Sequence, residues 1–397
     1  MQVRTFAEAS LYKPLNSASL DRSVMSAVLL SVGLLVICPV AVAAGQARGP
    51  LPPAAALRPA SVVGDTHPLK DVRGVAQAND TLVVLTSGSP AVHVFAPTSV
   101  RTWGRIGQGP GELENATAIA RRSRLVYVLE TSPGESMIER FDLSGAHVGA
   151  LRLRGYGIVG RFAPIAGGFV IQSSAFGQMT RSLLAISDSG TLRDSLATWT
   201  VPPRIRLAPA EGPRYATSQP FAPVVEWAVL VDSAVALWNP GDNRVTIIRD
   251  VGRRTSLALP VLDPVRVSNA DREFWLTTSF PDGFMNMGDD PLRYVRREAR
   301  KILTFPDVFP AVLALRAGAG AAVWVQRSPA SQGEEWLVLD EGGGCRRLRL
   351  PVSREFLSVS ATFLVAKAVD DLGVERVERY RTTDVESHFV RCATAGN

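Results

Sequence analysis

From about residue 69 the chain alternates short apolar runs with turn-forming residues, and the runs come in groups. Leu82-Val83-Val84-Leu85-Thr86 follows an Asn79-Asp80 turn, Ala91-Val92-His93-Val94-Phe95 follows Gly88-Ser89-Pro90, and Val100-Arg101-Thr102-Trp103 closes the group. A second group has Leu125-Val126-Tyr127-Val128-Leu129, Met137-Ile138-Glu139-Arg140-Phe141-Asp142, a Ser144-Gly145 turn and Val148-Gly149-Ala150-Leu151. A third has Gly168-Phe169-Val170-Ile171-Gln172, Ser182-Leu183-Leu184-Ala185-Ile186 and a Ser189-Gly190 turn. Runs of this length, bounded by Gly, Asn, Asp and Pro, predict antiparallel strands. With an innermost strand just before each group, the unit is a four-stranded meander.

The units recur at a countable step. Second strands begin near Leu82, Leu125, Gly168, Ala234, Ala321 and Phe363, giving steps of 43, 43, 66, 87 and 42 residues. A repeat of about forty residues built from four strands is the signature of a propeller blade. The step of 66 holds an extra Pro-rich loop, Pro202 to Pro223, and the step of 87 has room for a seventh blade. Residues 289–303 argue against that blade. Asp290 can cap a helix, Pro291 suits its first turn, and Leu292, Val295, Ala299 and Ile302 form one apolar stripe opposite Arg293, Arg296, Arg297 and Arg300. The predicted fold is therefore all-β: a six-bladed β-propeller of four-stranded antiparallel blades over residues 61–392, with a short helical insertion at 264–304 between blades four and five. In blade six, Phe356 to Ser360, Phe363 to Ala368 and Val374 to Tyr380 supply three strands. An open edge is a liability, so Ala60-Ser61-Val62-Val63 is expected to supply the fourth, with the tail Glu386 to Arg391 as competitor.

Between the first two groups lies Gly104-Arg105-Ile106-Gly107-Gln108-Gly109-Pro110-Gly111-Glu112-Leu113-Glu114-Asn115. A phosphate-binding loop needs a Lys after the glycines and a helix behind them. Here Glu112 takes the cation's place and the apolar strand Ala116 to Ala120 follows. The structural reading is better. Gly107, Gly109 and Gly111 permit positive φ, Pro110 sets a turn, and Glu112 can clasp the free amides of that turn.

On these features the chain resembles bacterial six-bladed propellers of the NHL/TolB-like kind. The resemblance rests on the G-x-x-G-Q-G-P-G-E stretch from Gly104 to Glu112, on Phe305-Pro306-Asp307-Val308-Phe309-Pro310 ahead of a late blade, and on the strand at Gly320 to Val325. It covers about residues 60–385 and implies a fold, not an activity.

Composition adds a compartment and removes one function class. Four lysines (Lys13, Lys70, Lys301, Lys367) stand among 43 basic residues, so the formal charge of +6 is carried by arginine. No dense basic run with interleaved aromatics occurs, which argues against nucleic acid as a partner. Residues 1–43 read as a signal peptide or a membrane anchor. Ala27 to Cys38 is apolar, Arg22 precedes it, and Ala41-Val42-Ala43 suits cleavage before Ala44. The expectation is an exported protein, periplasmic or extracellular, that touches a membrane only through this segment if it stays uncleaved. Residues 44–60 form a Pro/Ala-rich linker. Removal of the leader leaves Cys345 and Cys392, a pair expected to form a disulfide in an oxidising compartment.

Propellers bind ligands at the mouth of the central channel, where the inner strands begin. Near those starts stand Asp71, Arg73, Glu112, Asn115, Arg161, Glu226, Asp307 and Glu355. Mixed acids and arginines of this kind suit a polar binding funnel, and equally a set of solvated loop charges. No cofactor is expected from this pattern, and the partner would be a protein, peptide or glycan. The rival reading is a metal-dependent hydrolase of the lactonase/gluconolactonase-like propeller kind. It would gather Glu112, Asn115, Asn239 and Asp307 around Ca or another divalent cation. His67, His93, His147 and His388 are scattered, and no Ser/His/Asp arrangement stands out. In the insertion, Phe284-Met285-Asn286-Met287-Gly288 is an apolar patch suited to a partner, to a lid, or to packing on the propeller's own side.

Overall fold

The computed structural model describes residues 57–392 except 66, 133–134, 176–178, 209–214, 232, 251, 281–290 and 371. The leader, most of the linker and the Phe284 to Gly288 patch lie outside the described residues. The chain forms a six-bladed β-propeller. Its innermost strands are Val72–Ala78, Ala116–Arg122, Ile158–Ile165, Glu226–Val229, Ala314–Ala317 and Arg354–Val359, each followed outward by antiparallel partners in sequence order. Two-sided burial explains why these continuous apolar runs become blades. Both faces of a blade are covered by neighbours, so the second strands read Leu82-Val83-Val84-Leu85 or Val126-Tyr127-Val128-Leu129 with every residue buried. The core is accordingly divided into six apolar clusters, each shared by two successive blades.

The ring closes through both ends of the chain. Ser61–Val63 is the outer strand of blade six, with Ser61 opposite Arg379 and Val63 opposite Val377. Leu69, Val72, Leu82 and Val84 from the start of the propeller then pack with Val365 and Val377 from its end. The tail goes elsewhere than to blade six. Val390–Arg391 pairs with Arg347 and Arg346 as a fifth strand on blade five. There Cys345 and Cys392 are joined by a disulfide, with their Cα atoms 5.3 Å apart.

The insertion holds two helices rather than one, α1 (Asn269–Ser279) and α2 (Pro291–Ile302). α1 is weakly marked in sequence because Phe274, Trp275, Thr277 and Thr278 are indifferent helix formers. What starts it is a capping box in which Ser268 and Asp271 exchange hydrogen bonds with each other's backbone. In α2, Val295 and Ala299 are fully buried, but Ile302 is 45% exposed and Leu303 takes its place in the core. These helices do not pack alone. The Pro-rich loop after blade three contributes a ribbon of Ile205–Leu207 paired with Tyr215–Thr217. Leu207, Leu276, Phe280, Val295, Ala299 and Leu303 make a seventh apolar cluster with it.

Candidate functional site

In blades one, two, three and six the innermost pair carries a bulge near its first residues, adding Arg73, Thr117, Gly160 and Leu357. A bulge re-aims the side chain at that point. Arg73 uses it to reach the next blade, donating from Nη1 to the Ala116 carbonyl at 2.6 Å, while its Nε meets Asp71 at 3.3 Å. Asp71 itself has φ of 52°, a left-handed backbone for the residue just before the strand.

Across the channel Arg161 of blade three spans to blade four. Its Nη1 lies 3.0 Å from Glu226 Oε2, its Nη2 donates to the Trp227 carbonyl at 3.0 Å, and its guanidinium stacks 4.9 Å from the Trp227 ring. Blade six supplies Glu355, paired with Lys367 at 2.8 Å, and Lys367 also lies 3.7 Å from Glu375. Burial by itself would lower the Lys367 pKa, but Glu355 and Glu375 hold the ammonium charged and above its ordinary range.

Between these pairs sits Arg316 of blade five. Protein surrounds it, and Arg161, Glu226, Glu334 and Glu355 are its charged neighbours. Glu334 is 3% exposed and accepts from Trp336 Nε1 and the Phe356 amide at 2.8 Å each and from Gln326 Nε2 at 2.9 Å. Burial, reinforced by Glu355, pushes its carboxyl up to about 7 against those donors and Arg316.

The structure thus links Asp71, Arg73, Arg161, Glu226 and Glu355 in one chain of charged neighbours, along with Arg316, Glu334 and Lys367, none of them expected from the sequence. The signal was present. Arg316 and Lys367 are lone charges inside otherwise apolar strands, Ala-Leu-Arg-Ala and Phe-Leu-Val-Ala-Lys-Ala-Val.

The remaining candidates have other work. Glu112 accepts from the Gly109 amide at 2.8 Å and pairs with Arg105 at 2.6 Å, contacts that hold its carboxyl below the usual range. A Cβ on Gly107 would stand 2.0 Å from Glu112 Oε2, so that glycine is required by the clasp itself. Gly109 approaches the same carboxylate closely, Gly111 has φ of 78°, and Pro110 lies between them. Asn115 donates from its side chain to the Thr131 carbonyl at 2.5 Å, while its amide goes to Glu130. Asn239 stays within a tight turn, 3.3 Å from Asp242. Asp307 is 91% exposed in its side chain and 3.9 Å from Arg272. Of the four, Glu112 is held by its own turn, Asn115 and Asn239 use their amide groups on local partners, and Asp307 stands exposed. Among the described residues no three His, Cys, Asp or Glu side chains are placed to hold a metal ion.

Several concavities among the described residues are lined by other residues, and two of them bear on the candidates above. One of about 290 Å³ follows the clasp and is lined by Glu112, Glu114, Glu130 and Glu139. The other, about 550 Å³ and apolar, runs between Phe221, Leu259, Pro260, Val308 and Phe309. Among the described residues no helix is long and apolar enough to cross a membrane.

No protein-family model and no curated protein matches the sequence. Solved structures that it resembles include a candidate exported protein from Bacteroides fragilis, at 11% identity over 83% of this chain and 96% of that one, with a TM-score of 0.45. A candidate gluconolactonase gives 10% identity over 82% and 91%, with a TM-score of 0.43. A catalytically inactive virginiamycin B lyase from Staphylococcus aureus, crystallised with quinupristin, gives 13% over 81% and 98%, with a TM-score of 0.41. Likenesses at this level carry no argument about the chemistry of this chain.

Proposed function

We propose that the protein is an exported binding module that takes its ligand, a protein, peptide or glycan, at the channel mouth. The observation that supports this reading is the linkage of charged side chains from five of the six blades, Arg73, Arg161, Glu226, Arg316 and Glu355, through successive ion pairs and charged neighbours. Such a network presents directional donors and acceptors to a ligand while staying rigid, since each member is on a strand and not on a loop. Export rests on the leader-like residues 1–43, and kinship with NHL/TolB-like propellers rests on the Gly104 to Glu112 stretch.

The hydrolase reading would need the clasp opened and Asn239 and Asp307 brought inward, and no observation favours that. Two measurements on the exported protein separate the readings. Native mass spectrometry should find a co-purifying ligand that is lost when Arg161 and Glu226 are both replaced by Ala. Thermal melts with and without Ca²⁺, Mg²⁺ or Zn²⁺ should coincide. A divalent cation that raises the melting temperature, with loss of that rise in Glu112→Gln or Asp307→Asn, would replace this proposal by the metal-dependent one.

A further inference from the structure

Arg316 is a charge without a counter-charge of its own. Among the described residues its hydrogen bond runs from Nη1 to the Leu315 carbonyl beside it, at 3.0 Å. Among the described residues no carboxylate forms an ion pair with it, although three stand nearby, and each of the three is engaged. Glu226 is held by Arg161, Glu355 by Lys367, and Glu334 by the Trp336 indole, the Phe356 amide and Gln326. The side chain is partly accessible to water yet enclosed by protein, which is the condition of a group lining a channel and not of one on a surface. Enclosing a guanidinium costs free energy unless it is paired and hydrogen-bonded. Here the loss of solvation depresses its pKa, and the neighbouring acids recover it only in part.

We propose that the channel mouth holds a small organic monocarboxylate, or a carboxylate group of a larger ligand, on the free fork of Arg316. The inference rests on the reading of the mouth as a ligand site and names what that site selects. A planar carboxylate can take two parallel N–H donors from a guanidinium, and among the described residues the fork of Arg316 meets only the Leu315 carbonyl. A dianion is disfavoured because Glu226, Glu334 and Glu355 surround the guanidinium on the acidic side. Arg161 stands next to it and carries part of its fork on Glu226 and Trp227, so it bounds the subsite instead of filling it.

The test is a titration of the exported full chain with acetate, benzoate, succinate and inorganic phosphate at constant ionic strength set by chloride. Calorimetry and melting temperature are the readouts. Acetate or benzoate should bind in the millimolar range or tighter and raise the melting temperature. Arg316→Gln should weaken that binding at least tenfold, and Arg316→Lys, which keeps the charge and loses the fork, should fall between. Without added anion, Arg316→Gln should melt no lower than the wild type, since it removes an enclosed charge that no ion pair among the described residues holds. If Arg316→Gln does not fold, the Arg316→Lys titration alone decides. Carboxylate binding unchanged in the substituted proteins, no distinction from chloride, or phosphate binding more tightly than benzoate would each overturn the proposal. A co-purified ligand lost from the Arg161/Glu226 double variant, together with no carboxylate response, would overturn this inference and leave the channel-mouth reading standing. If neither effect occurs, both fall.

Discussion

Arginine joins the blades, one residue at a time. Arg121 donates from Nη1 to the Gln77 carbonyl of the preceding blade at 2.8 Å. Its neighbour Arg122 faces the following blade, reaching the Gly168 carbonyl at 2.9 Å and Asp188 at 2.6 Å. Arg161 ties blade three to four, and Arg379 ties blade six to the Asp80 carbonyl of blade one at 3.0 Å. A flat fork with several fixed donors can serve two acceptors at once, which a lysine ammonium does less well. The arginine excess in the composition therefore has a structural use at the blade interfaces. At the same scale, Glu334 makes a pH prediction. Its folded pKa of about 7 lies above the ordinary value of 4.5. The stability that it contributes is fully present below 4.5 and is lost as pH rises through 7, in total on the order of 3 kcal/mol. Glu334→Gln should thus melt above the wild type at pH 8.5 and close to it at pH 5. A gap of equal size at both pH values would show that the carboxyl is not raised.

At the scale of elements, the insertion behaves as a small satellite with its own core. α1 is anchored to blade five through Asp271, which accepts from Ser331 at 2.6 Å and Gln332 at 2.7 Å. Burial alone would raise the Asp271 pKa, and the bonds from Ser268, Ser331 and Gln332 together hold it below its usual range. The apolar contacts are made within the satellite, where Leu276 is 1% exposed. Leu276→Ala should cost about 2–5 kcal/mol locally. Because the cluster does not share residues with the six between blades, hydrogen exchange should rise over 205–217 and 269–305 and stay unchanged in the inner strands. Faster exchange throughout the blades would mean that the satellite supports the ring.

At the scale of the whole molecule, closure is the vulnerable step. A ring whose last blade lacks its outer strand presents an open sheet edge and exposes the Val365 and Val377 cluster. Deleting residues 44–66 removes Ser61–Val63 and should lower the melting temperature by roughly 10 °C or more and promote association through the bare edge, as read by light scattering. An unchanged melt would remove the strand from the closure. The disulfide acts on the other end of the chain. It spans 47 residues, and in the chain-entropy account a loop of that size contributes about 2–4 kcal/mol by restricting the unfolded state. Cys392→Ser should lose that much in denaturant unfolding, and reductant should bring the wild type down to the same midpoint. Thiol titration of the denatured, unreduced protein without its first 43 residues should find neither Cys345 nor Cys392 free.

How much of this was legible follows from the range of the interactions involved. Blade number, strand order and the closing strand Ser61–Val63 depend on apolar period and spacing, which are local along the chain. Leu125 and Phe363 open their strands, and Leu82 lies one residue inside its own, as that spacing predicts. The clasp of Glu112 on Gly109 was legible for the same reason, since its parts lie three residues apart. Other features required the closed ring. α1 was obscured by its own weak propensity, and the union of 205–217 with 269–305 joins segments that no pattern links. The mouth is the clearest case. Glu112 and Asp307 stand near inner-strand starts in sequence, but a local partner claims the first and exposure removes the second. Arg316 and Lys367 are marked in sequence only as lone charges in apolar strands, Glu334 is not marked at all, and all three are linked to the charged network in the structure. A residue's distance from the channel follows from strand assignment. The direction of its side chain, and whether a counter-charge is left for it, depends on bulges and on blades up to hundreds of residues away. By itself the chain determined the ring, and only tertiary structure decided which charges meet inside it.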